Sequence, residues 1–318
     1  MKSLTLEITT FCNEKCIHCY HSEYEKRVNL TDLVLLEKLL GEFAEKGFMS
    51  LVISGGEPLL NPKFREICAL ARKFRYLVSV KTNGLLIDDD TVRFLHDFKP
   101  KNVSVSIYSA DPDEHDSVTQ VAGSFEKSFN ALKLLSENGI RAVASTPILK
   151  GIEHWRELPE MLDPFGIKWL CGYLVLSSFD SRDNVENLKN DEKFYMDFLK
   201  FARKYSEQFE KFAKKREICC CGGAERFAVI GADFSFRPCV PFLGSFGIYD
   251  GTNLEILLKK GRDAVESRFE ATECRTCKLA EYCRICVGQM FYSGEKLLCS
   301  PSRKSFAGAC EKFFNSLS

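Results

Sequence analysis

The first 180 residues alternate between two hydrophobic patterns. Short runs in which apolar residues are contiguous or occupy every second position predict strands, and longer stretches with apolar residues three or four positions apart predict amphipathic helices. We predict six strands, at LTLEITT, SLVISGGEP, YLVSVKTNG, NVSVSIYS, IRAVASTPIL and IKWLCGYLVL. Because strands that alternate with helices form parallel βα units, the predicted fold class is α/β, a partial (βα)6 parallel barrel over residues 1–180.

Helices are predicted between these strands, at TDLVLLEKLLGEFAEKG, PKFREICALARKF, DDTVRFLHDF, GSFEKSFNALKLLSENG and EHWRELPEML. The first is expected to have Thr31 or Asp32 as its cap and to stop at Gly47. Parallel barrels carry their reactive groups at the carboxyl ends of their strands. We therefore expect the polar turns that follow predicted strands to lie at one mouth of the barrel; they are TTFCNEKC, SGGEP, KTNG and SIYSADPDEHD.

Two further regions follow the barrel. Residues 181–217 are predicted to be a connecting helical region, in which aromatic residues recur at helical spacing. We interpret these as a stripe that faces the core, formed by Phe194, Phe198, Phe201, Tyr205, Phe209 and Phe212. Beyond residue 217 the helical periodicity fades into short strands, glycines and many cysteines. This predicts a small cysteine-rich α+β domain over residues 218–318, held together by metal.

Composition and charge exclude several function classes. The 318 residues carry 44 basic and 44 acidic side chains, so net charge provides no attraction to nucleic acid or to an anionic membrane. No apolar run is long enough to span a bilayer, and MKSLTLEITT lacks the apolar core of a signal peptide. We therefore expect a cytoplasmic protein that binds neither nucleic acid nor membrane.

The chain contains fifteen cysteines, an unusually large number for a protein of this kind. Reduced cysteines in a cytoplasm are metal ligands or nucleophiles rather than halves of disulfides. Most of them lie near the two ends of the chain. Cys68 and Cys171 lie between, each within an apolar stretch, and are predicted to be small buried hydrophobic residues.

Three of the cysteines, Cys12, Cys16 and Cys19, lie on the turn after the first predicted strand. Four thiolates would close a tetrahedral metal site, whereas three leave one position of a cluster open for an exogenous ligand. A zinc site would need a fourth protein ligand, which His18 or His21 could supply. The C-x3-C-x2-C spacing of CNEKCIHCY, with an aromatic residue after the last cysteine, resembles that of the radical S-adenosylmethionine (SAM) superfamily.

The resemblance extends to the other turns, because SGGEP, KTNG and SIYS follow the second, third and fourth predicted strands in the order of that superfamily's motifs. It implies a [4Fe–4S] cluster on the three cysteines, with SAM on the fourth iron, and reductive cleavage of SAM to a 5′-deoxyadenosyl radical. The residues that it assigns to SAM are Tyr20, Gly55, Gly56, Glu57, Thr82, Asn83 and Ser106. In that scheme the glycines allow close backbone approach, Glu57 pairs with the methionyl ammonium, and Tyr20 covers the adenine.

The chain departs from the family pattern in the stretch DPDEHDSVTQVAGSF. Many relatives carry an arginine shortly after the HD pair, and this arginine contacts the SAM carboxylate. Here that stretch is occupied by Val118, Thr119 and Gln120, so another residue must make the contact. The run of polar, ionisable residues before it is expected to be a solvated turn near the mouth, and its members are Asp111, Asp113, Glu114, His115 and Asp116.

The tail resembles the SPASM extension, which holds auxiliary iron–sulfur clusters. CGGAERFAVIGADFSFRPC matches its cysteine hairpin, although Phe234 replaces the usual glycine of the turn, and CRTCKLAEYCRIC follows it. One implied cluster uses Cys221, Cys239 and Cys286, with Cys219 or Cys220 as a further ligand. The other uses Cys274, Cys277, Cys283 and Cys299. Paired C-x2-C units are also typical of zinc, so two zinc ribbons are the alternative, and Cys310 has no assigned role.

The function implied by the resemblance is modification of a peptide or protein, such as cross-linking, oxidation, epimerisation or decarboxylation of a ribosomal peptide. The implied partners are this substrate and an external one-electron reductant of flavodoxin or ferredoxin type. Because the chain starts directly at the first strand, a leader peptide is expected to be bound either by a separate leader-peptide-binding protein or by the barrel's own edge. The alternatives are an enzyme acting on a small molecule in tetrapyrrole or cofactor biosynthesis, and an iron–sulfur scaffold or electron carrier. No catalytic acid or base is identified.

Overall fold

The computed structural model describes residues 1–20, 27–172, 188, 190–205, 221–242, 244–283, 285–293 and 296–316. Six parallel strands in its first part confirm the predicted strand positions. They are β1 (Lys2–Glu7), β2 (Phe48–Ser54), β3 (Leu77–Thr82), β4 (Asn102–Ser106), β5 (Ala142–Pro147) and β6 (Lys168–Gly172). The end of the sixth predicted strand, beyond Gly172, lies outside the described residues.

These strands pair in chain order from β1 to β6, as expected of consecutive βα units. Leu4 is aligned with Leu51 and Leu6 with Ile53, and all four are fully buried in the core that the helices cover. Successive side chains of a strand point to opposite faces, so the residues between these positions form a second, inner face of the sheet. The described strands leave β6 unpaired with β1, and the barrel is therefore partial.

The predicted helices are present, and the structure adds one that was not predicted. The set comprises α1 (Leu33–Glu45), α2 (Phe64–Lys73), α3 (Asp89–Phe98), α4 (Pro112–Thr119), α5 (Ser124–Glu137) and α6 (Leu158–Leu162). Asp32 caps α1 as predicted, because its carboxylate accepts a hydrogen bond from the Leu35 N–H at 2.9 Å. The helix ends before Gly47, where φ is +80°.

The prediction of a polar turn throughout SIYSADPDEHD is wrong, because residues 112–119 form α4. Asp111 caps this helix, accepting a hydrogen bond from the Glu114 N–H at 2.9 Å. Pro112 takes the first helical position, where its missing N–H removes no helical hydrogen bond. His115 is buried rather than solvated. The Asp-Pro pair is the sequence signal for this helix.

Two strands of the tail extend the barrel sheet. β7 (Phe227–Ile230) pairs in parallel with β1, and β8 (Phe236–Arg237) pairs antiparallel with β7. Phe234 lies in the turn between them with φ +62°, the left-handed conformation that glycine adopts most easily. It thus keeps the backbone of the usual glycine at the cost of conformational strain. The sheet order is β6-β5-β4-β3-β2-β1-β7-β8.

The remaining described elements are α7 (Glu192–Tyr205), α8 (Leu254–Glu270), β9 (Phe291–Ser293), β10 (Lys296–Leu298) and α9 (Pro301–Asn315). The predicted aromatic stripe of α7 faces the core, since Phe198 is fully buried and Phe201 contacts Trp155 with ring centroids 5.1 Å apart. Phe209 and Phe212 lie outside the described residues. Within the part of the chain that is described, no helix has the length and apolarity needed to cross a bilayer.

Cys68 and Cys171 are buried, which confirms their predicted place in the core. Cys68 is fully covered on α2, and Cys171 is 6% exposed on β6. Cys310 is also fully buried, on α9. These three side chains therefore contribute as small apolar groups.

Candidate functional site

The predicted cysteine turn, here called the cysteine loop (residues 9–20), follows β1 and is attached to α4. The Lys15 N–H donates to the Thr119 carbonyl at 3.0 Å, and the Ile17 N–H donates to the Val118 carbonyl at 2.9 Å. The stretch that lacks the family's arginine therefore positions the cysteine loop through its backbone. Gln120, the last residue of that stretch, is exposed, and its side-chain amide donates to the Ser117 carbonyl.

The GGEP turn after β2 packs against the cysteine loop. The Gly56 N–H donates to the Thr9 carbonyl at 2.8 Å, and the Glu57 N–H donates to the Phe11 carbonyl at 2.7 Å. A Cβ on Gly55 would overlap the Thr9 oxygen, and a Cβ on Gly56 would overlap the Phe11 oxygen. Glycine is therefore required at both positions because the cysteine loop approaches so closely, independently of any ligand.

Glu57 connects this turn to the end of β3. Its fully buried carboxylate accepts hydrogen bonds from the Thr82 hydroxyl and the Asn83 N–H, each at 2.8 Å. Burial raises the pKa of Glu57 to about 7, although these hydrogen bonds oppose the shift. Asn83 also donates from its side chain to the Asn13 amide oxygen in the cysteine loop, at 2.6 Å. A ligand ammonium paired with Glu57 would share the Glu57 carboxylate with the Thr82 hydroxyl and the Asn83 N–H.

The other two predicted SAM residues lie at the same edge of the sheet. Ser106 ends β4, where it is aligned with Ser145 of β5 and partly accessible. Tyr20 ends the described part of the cysteine loop, and its hydroxyl donates to the Glu7 carboxylate at 3.2 Å. All the residues that the resemblance assigns to SAM thus follow or end one of the strands β1 to β4.

Two residues beside the cysteines were not predicted. Tyr108 is buried, and its hydroxyl lies 3.8 Å from the Cys16 Sγ. Glu14 accepts a hydrogen bond from the Cys16 thiol at 3.1 Å, and burial raises the pKa of Glu14 to about 7. His18, the candidate zinc ligand, packs its ring against Tyr108 with centroids 5.0 Å apart, and His21 lies outside the described residues. The place of Tyr108 in SIYS could have indicated its position, whereas nothing in the sequence marks Glu14.

The three thiols provide an all-sulfur donor set. Burial raises the pKa of Cys12 to about 11 and also raises that of Cys16, and the nearby Cys19 adds to both shifts. Thiols must lose their protons to bind iron, so cluster assembly here releases protons. Among the residues described, no group of three or more His, Cys, Asp or Glu is arranged to hold a metal ion. The donor chemistry fits a [4Fe–4S] cluster, in which each thiolate binds a different iron.

The first group of tail cysteines gathers beside the hairpin of β7 and β8. Burial raises the pKa of Cys221 and Cys239, and the nearby Cys286 thiol raises both further. Cys221 and Cys239 also pack against a small apolar cluster that includes Phe242. The structure therefore places near one another the three thiols that the resemblance assigns to one cluster. Cys219 and Cys220 lie outside the described residues.

The second group of tail cysteines is separate from the first. Burial raises the pKa of Cys283 and Cys299, and the nearby Cys274 thiol raises both further. Cys277 lies close enough to act on Cys283 in the same way. The four thiols assigned to the other cluster are thus neighbours, although more than 20 positions separate the first from the last. Whether iron binds at either group is a prediction.

Comparison with known proteins places this geometry in a family. Residues 6–164 match the Radical SAM superfamily. The antilisterial bacteriocin subtilosin biosynthesis protein AlbA of Bacillus subtilis is 26% identical over 251 residues, which cover 77% of this chain and 56% of AlbA. A probable GTP 3′,8-cyclase of Methanocella arvoryzae is 25% identical over 303 residues, which cover 87% of this chain and 95% of that protein.

Among solved structures, native anSMEcpe with bound AdoMet and the Kp18Cys peptide superimposes with a TM-score of 0.68 at 19% sequence identity. The alignment covers 98% of this chain and 96% of that chain, so the similarity of fold includes the cysteine-rich tail. The chain spans little more than half the length of AlbA. The superfamily match covers half of the chain and contains the cysteine loop and the turns that surround it. The chain therefore belongs to the radical SAM superfamily, which implies SAM and a [4Fe–4S] cluster as its cofactors.

Proposed function

We propose that this chain is an enzyme that modifies a peptide or protein substrate by radical SAM chemistry. The observation that carries the proposal is the meeting of four strand ends around one cysteine loop. Glu57 joins the GGEP turn to β3, Asn83 reaches the cysteine loop, and Tyr108 lies beside Cys16. An iron–sulfur scaffold or electron carrier would have no need for the additional motifs around its cysteines.

Cys12, Cys16 and Cys19 would hold the [4Fe–4S] cluster. When bound, this cluster supplies the electron that cleaves a C–S bond of SAM and so yields a carbon radical able to take hydrogen from a substrate. The protein's contribution is to bind and orient the cofactor. The Glu57 carboxylate would bind the methionyl ammonium, and the aromatic face of Tyr20 would cover the adenine. Gly55, Gly56, Thr82, Asn83 and Ser106 would supply close backbone approach and neutral hydrogen bonds.

The tail is proposed to hold two auxiliary [4Fe–4S] clusters. One would use Cys221, Cys239 and Cys286, and the other would use Cys274, Cys277, Cys283 and Cys299. Burial raises the pKa of Cys283, while the nearby Arg303 acts in the opposite direction and favours the thiolate that iron needs. Clusters in these positions would accept the electron left on a substrate radical, which an oxidative modification requires.

A peptide substrate is supported by two of the similar proteins. AlbA is named for the biosynthesis of the bacteriocin subtilosin, and the anSMEcpe structure contains a bound peptide. Among the described strands β6 is an edge of the sheet, and we propose that an extended peptide enters the barrel there. An external reductant of flavodoxin or ferredoxin type and a separate leader-peptide-binding protein complete the proposal. The second candidate is a small-molecule substrate, because the GTP 3′,8-cyclase relative matches over nearly its whole length.

The proposal is tested by anaerobic incubation of the reconstituted protein with SAM, a strong reductant and candidate peptides encoded beside its gene. Mass spectrometry should show a peptide of altered mass together with 5′-deoxyadenosine. The matched control is the Cys12→Ala/Cys16→Ala/Cys19→Ala variant, which should give neither product. A parallel incubation with GTP tests the second candidate. Failure of the iron-loaded parental protein to cleave SAM under any of these conditions would overturn the proposed function.

A further inference from the structure

Lys81 occupies an unusual position for a charged residue in the barrel. It lies on β3, one residue before the strand ends, and is aligned with Ser104 of β4. Its neighbours Val80 and Thr82 are buried on the helix-covered side. Because side chains alternate along a strand, Lys81 lies on the inner face, at the carboxyl end where the candidate site is built.

The inner face around Lys81 consists mainly of small, uncharged side chains. Ser79 precedes it on the same face of β3, and Ser106 and Ser145 are aligned beyond it on β4 and β5. Glu7, an acidic residue on this face at the end of β1, already forms an ion pair with Arg237. Short serine side chains leave space above the sheet, and none of them carries a charge that could balance an ammonium.

The Lys81 ammonium has no acidic partner within the described part of the chain, since no ion pair or hydrogen bond joins it to another residue there. The Lys81 side chain is exposed to solvent, and partial desolvation on the inner face lowers the pKa of its ammonium. A solvent-accessible ammonium that no acidic group among the described residues neutralises can form a charge-assisted hydrogen bond with an incoming anion. The position therefore has the properties of a binding site whose counter-charge comes from a ligand.

We propose that the Lys81 ammonium binds a carboxylate that enters the inner face of the barrel. This inference rests on the proposed function, which supplies two sources of that group: the methionyl carboxylate of SAM, and an acidic side chain or C-terminus of the substrate. If Lys81 binds the methionyl carboxylate of SAM, it takes the role that the arginine has in many relatives. Thr119 and Gln120 are uncharged, so neither can replace the positive charge of the family's arginine. The Thr119 hydroxyl is buried and hydrogen-bonded to Ser124, and the Gln120 side-chain amide donates to the Ser117 carbonyl.

The first arm of the test measures SAM binding to the reconstituted protein by calorimetry, for the parental chain and for Lys81→Met and Lys81→Arg. If SAM supplies the carboxylate, Lys81→Met should bind SAM about tenfold or more weakly, and Lys81→Arg should restore most of the affinity. Lys101→Met is the matched control, because Lys101 is exposed at the start of β4, away from the carboxyl ends of the strands. Circular dichroism verifies that each variant is folded.

The second arm uses N-acetyl-glutamate N′-methylamide as the probe, with the corresponding glutamine derivative as its neutral match. Saturation-transfer NMR measures the binding of both to the SAM-loaded protein. If the substrate supplies the carboxylate, the parental protein should prefer the glutamate probe, and Lys81→Met should lose the preference. Unchanged SAM affinity together with no charge preference in the parental protein would overturn the inference. Both arms measure binding alone, so they are independent of whether a peptide is ever modified.

Discussion

Arg237 and Glu7 form an ion pair that is buried on both sides, with 4% and 3% of their side chains exposed, although 230 positions separate them in the chain. Glu7 ends β1 and also accepts the hydrogen bond from Tyr20, the residue after the last cysteine of the cysteine loop. Arg237 ends β8, two residues before Cys239, and donates to the Val240 carbonyl at 3.3 Å. One buried contact therefore links the cysteine loop to a cysteine of a proposed auxiliary cluster.

Breaking this pair from one side should be strongly destabilising. Glu7→Gln or Arg237→Met leaves the other charge buried without its partner, and such changes cost about 3–5 kcal/mol. The double variant should be less destabilised than the two single changes together, because it removes both charges. Urea unfolding of the four proteins measures the coupling. If the double variant loses as much free energy of unfolding as the two single variants together, the two groups do not act as a pair.

Metal content distinguishes the auxiliary-cluster hypothesis from zinc ribbons. Anaerobic reconstitution should give three [4Fe–4S] clusters, or two with a partly ligated third, because the sequence contains three groups of cysteines with cluster-like spacing. Three clusters correspond to about twelve iron and twelve sulfide per chain. Iron and sulfide assays with elemental analysis give the numbers. About four of each, with zinc in the same protein, would assign the tail to zinc.

Variants of the N-terminal cysteines and variants of the tail cysteines should be blocked at different steps of the reaction. Replacing Cys12, Cys16 and Cys19 by alanine should abolish SAM cleavage, because the electron donor is lost. Changing Cys274 or Cys277 should leave some cleavage to 5′-deoxyadenosine without modified product. Chromatography of the reaction measures both, after circular dichroism has excluded unfolding of the metal-dependent tail. Turnover at the parental rate by a folded tail variant that lacks its auxiliary iron would make the tail a scaffold.

Tyr108 should raise the reduction potential of the N-terminal cluster. A ligating Cys16 thiolate has no proton, so in the contact at 3.8 Å the Tyr108 hydroxyl must be the donor, and hydrogen bonds to the sulfurs help to set the potential. Tyr108→Phe is expected to lower it by on the order of tens of millivolts. Redox titration followed by electron paramagnetic resonance measures the change. Tyr76→Phe is the matched control, since the Tyr76 hydroxyl donates to the Leu40 carbonyl in the core. Equal shifts of the reduction potential in both variants would contradict the proposed effect of Tyr108.

Gly56 should tolerate no side chain. In Gly56→Ala the new Cβ would overlap the Phe11 carbonyl, so the cysteine loop must move away from the GGEP turn. We expect reduced iron incorporation at the N-terminal site and a lower rate of SAM cleavage, both measurable on the reconstituted variant. Gly172→Ala provides the control, because a Cβ there would lie 4.0 Å from the Pro147 Cα, the nearest atom of the described residues apart from its chain neighbours. A parental iron content and rate in Gly56→Ala would show that the contact is dispensable.

Much of the fold could be predicted because it is encoded locally. Strand alternation, the Asp32 cap and the glycine after α1 act within a few residues, so periodicity and capping reveal them without knowledge of the fold. The turn predicted for residues 111–116 is wrong for a local reason as well, because the Asp111-Pro112 pair is a signal for the start of a helix and α4 begins there. The order of the turns after the strands also predicted which motifs meet at one edge of the sheet.

Sequence alone determined the six barrel strands, the cysteine groups and the motifs around the mouth. Only the tertiary structure decided that β7 joins β1, that Arg237 neutralises Glu7 and that Tyr108 reaches Cys16. It also decided that Lys81 lies on the inner face without an acidic partner among the residues that the structure describes. The reason is physical. Each of these relationships depends on residues far apart in the chain, and their pairing follows from how the whole sheet packs and excludes water, which leaves no periodic mark in the sequence around either partner.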